Sequence, residues 1–221
     1  MTIHFLPAPS SVRLGPGEVQ LWCARLNPPG PRERALLSTE EWIRAERFHF
    51  VRDTDRFVAA RALLRNLLAR QLEIDPRQLR LRAGQHGKPE LDHPESLLRF
   101  NLSHSGDLML VALSHAREIG VDLEVMRDDV PFEMLSDHYF EPEDAWSIRT
   151  LRAREKAVKF YEVWTRTEAR LKASGAGFSR GFHVPSPERW SLVSLMPADG
   201  YAAAVAVEGH DYKLHCWAWP N

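Results

Sequence analysis

The sequence predicts an α+β fold in two halves that meet near residue 115. Two observations predict it: each half carries both helical periodicity and several short extended runs, and those runs follow one another through short turns. Strands joined that way pair largely antiparallel, with the helices packed on one side. The halves are taken as residues 1–115 and 116–221.

The elements follow in order. Gln20 to Ala24 forms a short strand, and the proline- and glycine-rich run Asn27 to Arg32 a loop. A helical pattern then extends to Phe50, with Ser38 and Glu41 as a capping box opening the segment around Trp42. Asp53 to Leu72 is the strongest helix of the first half, because Phe57, Ala60, Leu64, Leu67 and Leu68 return at helical spacing. Arg56, Arg61, Arg65 and Arg70 lie between them, and a solvated face accounts for most. Asp75-Pro76 opens a turn, Leu79 to Arg82 is a short strand, and Gly84 to Pro89 is a loop carrying Lys88. Leu98 to Leu102 is extended and leads into Ser103-His104-Ser105-Gly106; Leu108 to Ser114 is an apolar strand ending in a turn at His115 to Arg117.

In the second half the strand Ile119 to Val125 alternates, with Ile119, Val121, Leu123 and Val125 on one face and Gly120, Asp122 and Glu124 on the other. Pro131 to Tyr139 is helical, and the acidic turn Glu141-Pro142-Glu143-Asp144 starts a further helix. A long helix from Ala153 to Ala173 ends at Ser174-Gly175. The tail holds three strands, Trp190 to Leu195, Tyr201 to Val207 and Tyr212 to Trp217, with Ala198-Asp199-Gly200 as a hairpin turn.

The bulk properties exclude several classes. A net charge of −1 gives no overall basic field to collect nucleic acid, so anion binding must come from local Arg and Lys clusters. Cys23 and Cys216 follow no metal-ligand spacing and suit small buried thiols in a reducing cytoplasm. Met1 to Pro9 lacks the pattern of a signal peptide, and no apolar run approaches the roughly 20 residues that span a bilayer.

Asp122 and Glu124, two apart on one strand, leave the same face beside Gly120, where no side chain blocks access. Two carboxylates that close repel unless one is protonated or a cation sits between them. Magnesium, which takes hard oxygen ligands, would resolve the repulsion; an exposed strand face is the plainer alternative. Glu168 lies on the apolar stripe of Tyr161, Trp164 and Leu171, where a carboxylate needs a partner or a metal. Lys172 is one turn on, within reach for an i,i+4 salt bridge. The basic and polar counterparts are Lys88 in Gly87-Lys88-Pro89, Ser103 and His104 at a strand end, and Arg61, which interrupts an apolar helix face.

In this order the pieces resemble the surfactin-synthetase type of 4′-phosphopantetheinyl transferase, from about Arg44 to Gly177. Gly120-Val121-Asp122-Leu123-Glu124 matches the family's Gly-hydrophobic-Asp-x-Glu strand, and Trp164 to Lys172 its helix motif. Phe100-Asn101-Leu102-Ser103-His104-Ser105 and Gly87-Lys88-Pro89 match two upstream elements. Two positions depart: Thr167 stands where the family usually has Lys, and Asp144 where it commonly has Glu.

The resemblance implies two similar α/β halves related by a pseudo-two-fold, with the active site in the cleft between them. It implies transfer of the 4′-phosphopantetheine group of coenzyme A to a serine of an apo acyl or peptidyl carrier protein, the holo-acyl-carrier-protein synthase reaction. Asp122, Glu124 and Glu168 would hold Mg²⁺; Lys172 would sit at the pyrophosphate, and Asp122, Glu168 and Lys172 would carry the catalysis. Lys88, Ser103 and His104 would contact phosphates and adenosine, and Arg44 and Arg61 the 3′-phosphate. The partners are coenzyme A and the carrier, with no nucleic acid and no membrane, and a monomer suffices. Two rivals stand beside this: a metal-dependent phosphodiester hydrolase built on the same carboxylates, and a non-catalytic coenzyme A- or carrier-binding relative, which Thr167 invites.

Overall fold

The computed structural model describes residues 4–9, 11–84, 88–93, 95–175 and 187–220. Gly87 and Gly177, both used in the sequence reading, lie outside the described residues.

Alternation along the strands builds the layers. Strands β2 (Glu18–Arg25), β5 (Leu98–Ser105) and β6 (Leu108–His115) form an antiparallel run in a five-stranded sheet completed by β1 (Leu6–Pro7) and β10 (Lys213–Ala218), in the order β1-β10-β2-β6-β5. On one face Trp22, Ala24, Met109, Val111 and Leu113 meet Leu64, Leu67 and Leu68 of the 22-residue helix α3 (Val51–Leu72). On the other face Val19, Leu21, Leu110 and Ala112 meet Ile119, Val121 and Leu123 of β7 (Ile119–Val125). The second sheet is antiparallel, of order β7-β9-β8, with β8 at Trp190–Leu195 and β9 at Tyr201–Glu208. Its outer face, through Ala204 and Ala206, packs on Ala169, Leu171 and Ala173 of α6 (Ala153–Ser174), the second 22-residue helix. The architecture is therefore helix, sheet, sheet, helix, each long helix covering the outer face of one sheet. This is the α+β class the sequence predicts.

Several expected elements are present with extended bounds. The capping box forms on α2 (Thr39–Ala45): Glu41 N–H donates to Ser38 Oγ at 3.3 Å and Ser38 N–H to Glu41 Oε2 at 2.9 Å. Gly175 closes α6 at φ 69°, a left-handed conformation that glycine adopts without steric cost. Helices α4 (Phe132–Tyr139) and α5 (Pro142–Thr150) fill the connection between β7 and α6. β5 continues to Ser105, beyond the predicted Leu102, because Ser103 and Ser105 stay in register with β6.

Three features differ from the local reading. The last strand, β10 (Lys213–Ala218), pairs parallel with β2 and with β1 (Leu6–Pro7), so it completes the first sheet from the far end of the chain. Trp217 and Trp219 then pack near Trp22, at ring-centroid distances of 6.5 and 5.7 Å.

The α3 arginines Arg56, Arg61, Arg65 and Arg70 do not form a solvated face. Arg65 is buried, 3% exposed, and Arg56, Arg61 and Arg70 are half-buried. The helix lies between the first sheet and a second cluster of Leu37, Ala45, Phe57, Val58 and Ala62, so nearly all its circumference is covered.

Gly120 does not open an access route. A Cβ there would lie 2.1 Å from the Ala169 carbonyl oxygen and 2.4 Å from the Ala173 nitrogen, so the missing side chain lets the α6 backbone sit directly on β7. Both obstructing atoms are backbone and cannot swing aside. Gly120→Ala should therefore cost about 1–3 kcal/mol or more from overpacking, lowering the melting temperature by several degrees. A melt superimposable on the parent's would refute this close packing.

Candidate active site

The site begins at the free edge of the second sheet. β7 pairs with β9 on one side only, so its outward backbone groups need other partners. β5 supplies them from alternate side chains. Val121 N–H donates to Asn101 Oδ1 at 2.8 Å, and Val125 N–H donates to Ser105 Oγ at 3.1 Å. Asn101 and Ser103 are both buried, and the period of two along β5 sets all three side chains toward β7.

The same serines hold the carboxylates. Asp122, 2% exposed, accepts hydrogen bonds at Oδ1 from Lys172 Nζ at 2.6 Å and from Ser103 Oγ at 3.2 Å. Lys172 Nζ also donates to Ser103 Oγ at 3.2 Å. Asp122 Oδ2 is buried with no hydrogen-bond partner. Glu124 accepts from Ser105 Oγ at 3.1 Å; its pKa is raised first by desolvation and then by the Asp122 charge. Glu168 is buried, and desolvation first, then the Asp122 charge, pushes its carboxyl up to about 7, against the opposing effect of Lys172. Lys172 makes no ion pair with Glu168 in its own helix; its ammonium crosses to Asp122 on β7.

A hard divalent cation fits this donor set by its chemistry: three carboxylates in one another's field, one buried oxygen without a donor, and two carboxyls whose pKa values are raised. Among the described residues, no group of three or more His, Cys, Asp or Glu is already arranged to hold a metal ion.

The basic residues divide. Lys88 Nζ donates to the Lys172 carbonyl oxygen at 2.9 Å, tying the loop before β4 (Pro89–Leu91) to the last turn of α6. Its pKa is lowered, first by desolvation. His104 has an exposed side chain, yet its pKa falls below the ordinary imidazole range, first through desolvation and then through the Lys172, Arg61 and Arg56 charges. His104 thus lies within the fields of both Lys172 and Arg61. Arg44 and Arg61 both approach the Phe57 ring, with Cζ at 5.6 and 5.2 Å from its centroid.

Two family models match the chain, "4′-phosphopantetheinyl transferase, N-terminal" over residues 32–116 and "4′-phosphopantetheinyl transferase superfamily" over residues 118–218. The 4′-phosphopantetheinyl transferase HetI of Nostoc sp. is 36% identical over 230 residues, covering 96% of this chain and 97% of that protein. The chain belongs to the 4′-phosphopantetheinyl transferase family. A putative 4′-phosphopantetheinyl transferase of Synechocystis sp. is 40% identical over 184 residues, covering 82% and 75% of the two chains. The 4′-phosphopantetheinyl transferase Sfp of Bacillus subtilis is 27% identical over 150 residues, covering 67% and 64%.

In this 4′-phosphopantetheinyl transferase, the two positions that depart from the motif lie apart from the carboxylates' hydrogen bonds. Thr167 is buried in α6, and the charge of Asp144, in the first turn of α5, acts on Arg170. Asn101 and Ser105 are the members of the site that a ligand-type search omits. The available signal was a polar stripe, Asn101-Ser103-Ser105, at period two in an otherwise apolar strand pair. Asn101→Ala removes the acceptor of a buried N–H and should cost about 1–3 kcal/mol in chemical denaturation. An unchanged denaturation midpoint would show that the edge of β7 finds another acceptor.

Proposed function

We propose that this protein transfers the 4′-phosphopantetheine group of coenzyme A to a serine of an apo acyl or peptidyl carrier protein, releasing adenosine 3′,5′-bisphosphate. The observation that carries the reading is the Lys172–Asp122 pair at 2.6 Å, formed between two sequence motifs and flanked by Glu168 with its carboxyl near neutrality. Asp122, Glu124 and Glu168 would hold Mg²⁺, which when bound supplies charge neutralisation at the pyrophosphate.

The residues then divide the work. The ammonium of Lys172 stabilises negative charge as it develops on the pyrophosphate, since phosphoryl transfer is catalysed chiefly by positioning and electrostatics. The incoming serine Oγ attacks the phosphorus on the pantetheine side; the bond from that phosphorus to the bridging oxygen breaks, and the bridging oxygen leaves with adenosine 3′,5′-bisphosphate. Glu168 is assigned to accept the serine proton; burial raises its carboxyl's pKa in the free protein, and Mg²⁺ held by the same carboxylate would lower it again. Ser103 orients Asp122 and Lys172 together through its one hydroxyl. Lys88 and His104 line the phosphate and adenosine side, and Arg44 and Arg61 receive the 3′-phosphate. No residue of the chain becomes covalently modified.

In this reading residues 1–115 contribute the nucleotide and phosphate contacts and 116–221 the metal-binding and catalytic groups. One chain supplies both, so a monomer in the cytoplasm suffices. The carrier is assigned to the surface of α4 and α5, where Met134 and Trp146 are 63% and 66% exposed.

Intact mass of an apo-carrier incubated with the enzyme, coenzyme A and Mg²⁺ should rise by one phosphopantetheine and show no rise with EDTA. Asp122→Ala and Lys172→Met should each lower the transfer rate by about 10²-fold or more while the protein stays folded. Near-normal transfer by folded Asp122→Ala would sink the metal assignment, and adduct formation undiminished by EDTA would sink the metal requirement.

A further inference from the structure

Arg44 and Arg61 present an unusual arrangement for cations. Among the described residues neither side chain forms a salt bridge or a hydrogen bond, and both instead approach one aromatic ring, that of Phe57. Arg61 follows Phe57 by one helical turn on α3, whereas Arg44 comes from the last turn of α2. Two guanidinium groups so placed repel each other. Glu41 is close enough for its charge to act on Arg61; its Oε2 accepts from Arg65 Nε at 2.7 Å and from Ser38 N–H at 2.9 Å, and its buried Oε1 makes no hydrogen bond, to Arg61 or to any other donor.

The ring does what a carboxylate cannot. The negative face of an aromatic quadrupole attracts cations without cancelling their charge. Phe57 is also fixed: it is 8% exposed, packed with Leu37, Ala45, Val58 and Ala62, and 5.5 Å from the Phe48 ring. The α2–α3 junction that brings Arg44 to it is held by Arg65, which donates from Nη1 to the Pro76 and Leu79 carbonyls at 3.1 and 3.0 Å besides its bond to Glu41. Arg44 additionally lines a cavity of about 650 Å³ with Glu40, Ile43, Arg47 and Phe48, so its head group is reachable by a ligand. Burial holds the Arg61 pKa down first, with Glu41 opposing and the Arg44 and Arg65 charges adding to the depression, as expected of a cation that lacks a bonded anion.

We propose that Phe57 is a positioning residue that sets the preference for coenzyme A over its 3′-dephospho form, by holding Arg44 and Arg61 as one pair without a bonded carboxylate for a phosphate monoester. The proposal rests on the reading of Arg44 and Arg61 given under Proposed function. Without the ring the two side chains regain rotamer freedom and separate, so the pair must be reassembled at each binding event.

Phe57→Leu, which keeps apolar volume and removes the ring, is compared with Phe57→Tyr, which keeps the ring, and with Arg61→Met. Each is titrated calorimetrically with coenzyme A and with 3′-dephospho-coenzyme A, and KM and kcat are measured for both. Phe57→Leu should weaken coenzyme A binding about five- to tenfold, with the loss in KM rather than kcat and a change of less than about twofold for the dephospho form. Phe57→Tyr should restore the preference, and Arg61→Met should abolish it. If Phe57→Leu does not fold, Phe57→Met fills the space without a ring and carries the same test.

A preference lost in Arg61→Met but intact without the ring overturns the role of Phe57 and leaves the phosphate reading standing. A preference intact in both overturns the phosphate reading and the proposal with it. Equal weakening toward both nucleotides without the ring, or no rescue by tyrosine, assigns Phe57 to packing alone and overturns the proposal.

Discussion

The open edge of β7 is the constraint on which the site depends. A buried edge strand cannot leave its N–H groups unpaired, and here the neighbouring strand is turned so that side chains, not backbone, must reach it. That requirement places short polar residues at every second position of β5. It also couples structure to chemistry, since Ser105 accepts from Val125 N–H and donates to Glu124, and Ser103 accepts from Lys172 and donates to Asp122. Each hydroxyl has one proton, so each bond fixes the direction of the next. The carboxylates are held by the same contacts that join the two sheets.

A second condition acts from the opposite face. Lys172 reaches Asp122 only because α6 lies directly on β7, and that approach depends on the missing side chain at Gly120. The small residues Ala169, Ala173, Ala204 and Ala206 continue the close fit along the helix. The position of the Lys172 ammonium is thus set by packing two residues away on the strand from Asp122, and Lys88 fastens the end of the same helix to the loop before β4.

Local patterns were legible wherever the deciding interaction is local. The period-two alternation of Ile119 to Val125 gave the faces of β7, the Ser38–Glu41 spacing gave a helix start, and Glu168 on an apolar stripe was found buried. What escaped is non-local. The partner of Lys172 lies 50 positions away in sequence, so helical spacing pointed to Glu168 instead. The α3 arginines looked solvated because nothing in their own segment shows that a second layer covers them. The return of β10 to the first sheet depends on pairing between opposite ends of the chain. Gly120 has no side chain with which to announce what lies against it.

The net charge of −1 conceals how the charges are distributed. The β7–α6 centre gathers three carboxylates against a single bonded ammonium, and burial raises the pKa values of two of them. Elsewhere Arg44 and Arg61 lie without a bonded carboxylate, and His104 is held toward its neutral form first by desolvation and then by the Lys172, Arg61 and Arg56 charges. The two excesses do not cancel, because the Phe57 ring holds one and the serines of β5 hold the other. A site kept out of internal balance in both places is stabilised by a ligand of the opposite pattern, a cation at the carboxylates and phosphate at the arginines. Preorganised charge of this kind costs stability in the free protein and returns it on binding, and this supports a nucleotide carrying both a pyrophosphate and a separate phosphate monoester as the substrate.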